Sequence, residues 1–310
     1  MEYSERVFSA MPDSPLPPLT PSHPLHRRDR RIATIRTALL ALSRIAPGTT
    51  ARIAEAIFVK TARPAPRRDE AEWLATATRF EVRAAGQRIA GYAWGEVGPA
   101  VLFAHGWWSH AGRFAPMAQA AVAAGMRALA FDAPGHGQST GWRATMPEFA
   151  ATLRAVADHQ GPLHAVVGHS LGGAASVFAL ARGLPASRAV IIAAPADITS
   201  WVTRFRDTFG IQAGVYARMQ HNMERRLQVT WHDLDVLAHA RRLDLPALII
   251  HDVHDPDVPW TEGQLLADAW RGSTLHTTRR LGHRAILRDA DVIRRVVEFL
   301  RTANSEPRTA

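Results

Sequence analysis

Five short apolar runs recur along the chain: VLFA (101–104), MRALAF (126–131), LHAVV (163–167), AVIIA (189–193) and ALII (247–250). None alternates apolar with polar residues, so each suits a strand covered on both faces, as a parallel sheet requires. Helical patterns lie between most of them. Thr145-x-x-Glu148 reads as a capping box, with Phe149, Leu153 and Val156 following on one helical face. A last helix over 290–302 carries Val292, Val296 and Phe299, extended by Leu300. Segments 78–84 and 88–94 do alternate and suit an antiparallel, half-exposed pair. Strands alternating with helices predict an α/β fold: a mostly parallel, twisted sheet of about eight strands with helices on both faces. The 310 residues suffice for one large core of this kind.

Two stretches stand apart from that rhythm. Residues 1–28 hold six prolines between Pro12 and Pro24, and proline supplies no amide donor, so a flexible arm is expected there. A helical extension over 29–70 follows, with helices over 30–45 and 49–62 broken at Pro47-Gly48. It is expected to pack on the core or on a partner. The core itself is read as 71–196 and 244–310. Between these lies 197–243, too long for a connecting loop and rich in aromatics and methionine. It is read as a helical insertion.

Composition narrows the function classes. Net charge is +9, which invites a nucleic-acid reading, yet Lys60 is the only lysine and the arginines are spread along the chain. No nucleic-acid partner is expected. The densest basic clusters, HRRDRR (26–31) and PRR (66–68), both precede the first expected strand. There is no cysteine, which excludes disulfides, thiolate metal sites and a cysteine nucleophile. No apolar stretch is long enough to span a membrane. Ile32 to Ala46 is loosely like a signal peptide, but Arg36 and Arg44 interrupt it, so a cytoplasmic location is expected. Oligomeric state is not legible.

The strongest chemical signal is GHSLGG (168–173), between an expected strand and an expected helix. At so sharp a turn bulky neighbours would clash, so Gly168 and Gly172 clear space. The Ser170 hydroxyl is then held out at the sheet's C-terminal edge, above a helix whose dipole favours an anion. Here the chain resembles the α/β-hydrolase superfamily, from about residue 78 to 302. Four further segments match in order: HGWW (105–108), FDAPGHGQS (131–139), HDVHDPDVP (251–259) and LGH (281–283).

The resemblance implies a catalytic triad. Ser170 would be the nucleophile and His283 its base, with a carboxylate fixing the imidazole. Asp252, Asp255 and Asp257 compete for the last role, and the family spacing selects Asp255. Asp252 stands where the family usually has glycine. The oxyanion would be met by the N–H groups of Trp107 and Leu171. Trp108, His169, Trp201, Phe205, Phe209 and Val258 are candidates for the substrate pocket. His105, His136 and His169 are expected to hold loop backbone. His251 and His254 flank two aspartates, but no metal and no other cofactor is expected.

Serine at the elbow disfavours the branches of this fold that use aspartate there, the haloalkane dehalogenases and epoxide hydrolases. Acyl transfer through an acyl-Ser170 intermediate remains, and the insertion resembles the family's helical cap. The expected activity is hydrolysis of a small-molecule carboxylic ester with a small or medium acyl or aromatic group. The rivals are a C–C bond hydrolase of ring-cleavage products, a thioesterase or lactonase, and a non-catalytic ligand-binding protein of the same fold. Against the C–C hydrolase, the residue after His283 is Arg284, where that group often has an aromatic.

Overall fold

In the computed structural model, which describes residues 26–302 with side chains from Arg31 onward, the apolar runs lie side by side in one eight-stranded sheet. The strands are β1 (Thr78–Ala84), β2 (Gln87–Trp94), β3 (Ala100–Ala104), β4 (Arg127–Phe131), β5 (Leu163–His169), β6 (Ala186–Ile192), β7 (Ala247–Asp252) and β8 (Ser273–Thr278). Their order is β1-β2-β4-β3-β5-β6-β7-β8. β2 is antiparallel to both β1 and β4, and every pair beyond β4 is parallel.

Successive residues in each run serve opposite faces, which is why the runs do not alternate. Leu102, Leu129, Val166, Ile191 and Ile249 enter one core. Val101, Phe103, Ala130, Val167, Ile192 and Ile250 enter the other. Helices α5 (Met146–Gln160) and α6 (Leu171–Ala181) cover the first face, while α4 (Ala115–Ala123) and α12 (Ala290–Arg301) cover the second. Among the described residues, no helix is long and apolar enough to cross a membrane.

Local details depart from the sequence reading. Residues 1–25 of the expected arm lie outside the described residues, and positions 26–28 already belong to α1 (His26–Ile45). The two helices of the extension part at Ala46, and Pro47, expected between them, instead opens α2 (Pro47–Phe58), where its missing N–H costs nothing. The chain then runs extended to α3 (Arg68–Ala75). Thr145 caps α5 differently from the expected box. Its hydroxyl donates to the Glu148 carboxylate at 2.8 Å and makes no capping bond to backbone.

Between β6 and β7 lie α7 (Ile198–Phe209), α8 (Ala213–Leu227) and the short α9 (Val236–Ala240). α10 (Trp260–Ala269) precedes β8, and α11 (Gly282–Ala285) follows it. The N-terminal extension packs on α8. Ala51, Ala54 and Val59 form a buried cluster with Ile211, Val215, Met219 and Met223. Beyond α2 the extension stitches to the loop after β4: Thr61 N–H donates to the Trp142 carbonyl, and Ala144 N–H to that of Val59.

Candidate active site

The parallel strands end on one edge, and the loops leaving β3, β5, β7 and β8 meet there. The turn after β5 is the sharpest. Ser170 sits at φ 53° and ψ −125°, a conformation that a non-glycine residue adopts only at a cost. Space for it comes from the glycines on either side. A Cβ on Gly168 would lie 2.6 Å from the Gly173 Cα, and one on Gly172 would strike the carbonyls of Ala104 and His105. Gly106 brings the loop after β3 against the elbow, since a Cβ there would stand 2.9 Å from the Ser170 Cβ.

Of the three competing aspartates, Asp255 reaches the histidine. His283 Nδ1 lies 2.8 Å from Asp255 Oδ2. Oδ1 of the same carboxylate accepts the N–H groups of Asp257 and Val258, at 2.8 and 2.9 Å. Burial alone would raise the Asp255 pKa. The bond and charge of His283, with the two backbone donors, outweigh that and hold it below the ordinary carboxylate range. Asp257 lies on the cavity wall, half-exposed and 4.0 Å from Arg284.

Asp252 has another occupation. Fully buried at the end of β7, it accepts from His254 N–H at 2.9 Å, the Thr278 hydroxyl at 2.8 Å and Leu281 N–H at 3.0 Å. It thereby ties the loop bearing Asp255 to the loop bearing His283. Asp252→Ala leaves three partly buried donors unmatched and is expected to cost roughly 2–3 kcal/mol in urea unfolding. A loss under about 1 kcal/mol would contradict this assignment of the carboxylate.

Three histidines hold the surrounding backbone. His105 donates from Nδ1 to the Gly106 carbonyl at 2.7 Å and accepts Ala133 N–H at Nε2. His136 donates from Nδ1 to the Pro134 carbonyl and accepts Trp108 N–H at Nε2, 3.1 Å away. His169 donates from Nε2 to the His283 carbonyl at 2.8 Å, its ring 4.7 Å from that of His283. Burial drives the pKa of each down to about 3, so all three are neutral near pH 7. With Trp108 N–H engaged by His136, the N–H groups of Trp107 and Leu171 remain without a partner among the described residues. They flank the elbow.

Ser170 and His283 open into a cavity of about 1300 Å³. Trp107, Trp108, His169 and Leu171 line it, as do Trp201, Phe205 and Phe209 from α7. Val258 does not: it is fully buried, its N–H bound to Asp255 and its carbonyl accepting from His251 Nε2. Val258 therefore supports the carboxylate loop and is not a wall of the pocket. His254 likewise serves backbone, accepting Arg280 N–H at 3.3 Å.

Sequence reasoning missed a whole wall. Phe58, Arg63 and Arg67 come from the N-terminal extension, with the Phe58 ring 5.0 Å from that of Phe205. The Trp108 indole donates to the Lys60 carbonyl at 3.1 Å, fixing the extension beside the loop after β3. No local periodicity reports such a contact.

Sheet order, elbow and loop arrangement are those of the α/β-hydrolase fold. A family model described as serine aminopeptidase, S33, matches residues 95–236, which include the elbow but end before Asp255 and His283. A monoacylglycerol lipase of Mycolicibacterium smegmatis is 38% identical over 105 residues, covering 31% of this chain and 37% of the lipase. Among solved structures, an esterase from a Rhodococcus species superposes with a TM-score of 0.55 at 20% identity, over 72% of this chain and 98% of that one. A meta-cleavage product hydrolase from Pseudomonas fluorescens gives 0.52 at 21% identity, over 73% and 98%. Likenesses of that order are likenesses of fold. They include an esterase and a meta-cleavage product hydrolase alike, so the fold does not choose between the two activities.

Proposed function

We propose that the chain is a serine hydrolase cleaving carboxylic esters through an acyl-Ser170 intermediate. One observation carries the reading. Ser170 stands on a strained elbow beside two unengaged N–H groups, in an apolar cavity that also exposes a histidine bonded to a buried aspartate.

Ser170 Oγ attacks the ester carbonyl while His283 takes its proton at Nε2. Asp255 holds Nδ1–H and stabilises the imidazolium. The oxyanion is met by the N–H groups of Trp107 and Leu171. His283 then returns the proton to the leaving alcohol, and water activated by the same ring releases the acid. Helices α7 and α8 act as the roof, with Trp201, Phe205 and Phe209 of α7 and Met223 and Leu227 of α8 excluding water and favouring an apolar acyl or aryl group. The relative's name, a monoacylglycerol lipase, supports ester chemistry. A cytoplasmic location is part of the same proposal, supported by the arginines that interrupt the apolar run in α1.

A panel of p-nitrophenyl esters of increasing chain length, assayed beside a ring-cleavage product, tests the reading. Ester turnover with little action on the ring-cleavage product is expected. Turnover of the latter alone would transfer the site to carbon–carbon chemistry.

A further inference from the structure

The cavity over Ser170 is apolar in its depth, but its wall carries six arginines against one acidic residue, Asp257. Drawn from this composition at random, the same wall would carry about four basic and three acidic residues. Two carboxylates stand behind it. Glu70, fully buried, pairs with Arg113 at 3.1 Å and Arg288 at 2.5 Å, and Asp69 lies 3.0 Å from Arg288 and 3.6 Å from Arg67. Even counting both, guanidinium groups exceed carboxylates by three.

The excess is not evenly shared. Arg63 has no carboxylate partner among the described residues. The carbonyls of Gly135, Ser139 and Gly141 grip its Nε and Nη2 at 3.1, 2.7 and 2.8 Å. Carbonyls orient a guanidinium without cancelling its charge, and here they leave the Nη1 donors unused. Arg204 also lacks a carboxylate among the described residues and lies over the Trp201 ring at 5.1 Å. Arg284, beside His283, is 4.0 Å from Asp257 and largely exposed. These three arginines come from the extension, α7 and the histidine loop, and converge on one cavity. Fixed cations at the mouth of a low-dielectric cleft focus a positive field, and a guanidinium fork suits planar or tetrahedral oxyanions.

We propose that the cavity selects esters bearing an oxyanion, a carboxylate or a phosphate, on the part that projects to the arginine rim, with the apolar part held beneath. The proposal rests on the ester-cleaving reading of Ser170 and names its substrate class. It also gives the extension a role in selecting substrate, because Arg63 and Arg67 reach the site only through the stitching of 59–67 along its edge.

The test compares kcat/KM for para-butyryloxybenzoate and para-butyryloxyphenyl phosphate with that for methyl para-butyryloxybenzoate. p-Nitrophenyl hemiglutarate against p-nitrophenyl valerate places the charge at the acyl end instead. An anionic probe is expected to exceed its neutral partner by roughly 3- to 10-fold at low ionic strength, the gain fading at about 0.5 M salt. It should also fade in the double variant Arg204→Gln/Arg284→Gln, which spares the loop that Arg63 grips. The favoured probe distinguishes carboxylate from phosphate. Turnover without any anionic preference overturns the inference and leaves the hydrolase reading standing. Failure to turn over every ester removes that reading. In that event calorimetric titration of Ser170→Ala with benzoate, phenyl phosphate and benzyl alcohol decides the inference alone: tighter anion binding supports it, and equal affinities overturn it.

Discussion

Ser170→Ala and His283→Ala should each lower kcat on the best p-nitrophenyl ester by roughly 10⁴–10⁶-fold, with little change in KM. The size of the effect follows from how the groups act together. A serine hydroxyl at neutral pH is a weak nucleophile, so without a base to take its proton the hydroxyl is nearly inert. Without the hydroxyl, the base has nothing to activate. The two losses therefore overlap, and the double variant should be scarcely slower than either single one. Asp255→Asn should fall nearly as far, because an amide cannot stabilise the imidazolium and invites the wrong tautomer at Nδ1. Asp257→Asn should change kcat only slightly, since the Asp257 contact to Asp255 is through its main-chain N–H. Steady-state kinetics on the purified variants reads all of these. Retained turnover in His283→Ala, or a larger loss in Asp257→Asn than in Asp255→Asn, would reassign the site.

Unfolding between pH 5 and 6 should take up at least roughly two to three protons, which is the second large expectation. His105, His136 and His169 are buried with pKa values of about 3, whereas an unfolded histidine titrates near 6.5, and burial lowers His110, His251 and His276 in the same direction, adding to the uptake. The direction is that of a base whose folded pKa is depressed. Above pH ~6.5 both states hold the neutral ring, and the stabilisation is fully present. As pH falls from there toward 3, only the unfolded chain binds the proton, so stability drains away. Each ring contributes about 1.4 kcal/mol per pH unit, hence about 4 kcal/mol per unit for the three. The carboxylates of Asp252, Asp255 and Glu70 are held below their ordinary range and add to the loss only at lower pH. Urea midpoints at fixed salt from pH 7.5 to 5 test the slope, and His136→Gln should lower it by about 1.4 kcal/mol per pH unit. A stability independent of pH over that range would mean that these rings are not buried neutral.

Much of this architecture was legible because it is local. The unalternating runs at 101–104 and 163–167 name a two-sided sheet, and the glycines at 168 and 172 name the turn between β5 and α6. β8 was not located, for a physical reason. Its sequence, STLHTT, is polar, and as an edge strand with β7 as its one neighbour it need not be buried on both faces. Val258 was misplaced because a valine after an acid loop can face a pocket or the core equally well, and only packing decides. Asp252 stood out as a departure from the family spacing, but its bonds to Thr278 and Leu281 cross to another strand and leave no trace in spacing. The wall supplied by Phe58, Arg63 and Arg67 was the least legible, since these residues lie over a hundred positions before Ser170. The basic clusters were visible in the sequence. That two arginines of the extension line the cavity over Ser170 is a consequence of the fold.

Covalent labelling with a fluorophosphonate probe, read by mass spectrometry of the intact chain and its peptides, tests the central claim most directly. One adduct per chain is predicted, on the peptide carrying Ser170, formed rapidly near pH 7.5, lost in Ser170→Ala and strongly slowed in His283→Ala. Native protein that takes up no probe, or Ser170→Ala that labels as fast as the parent, would contradict the assignment of Ser170 as the nucleophile.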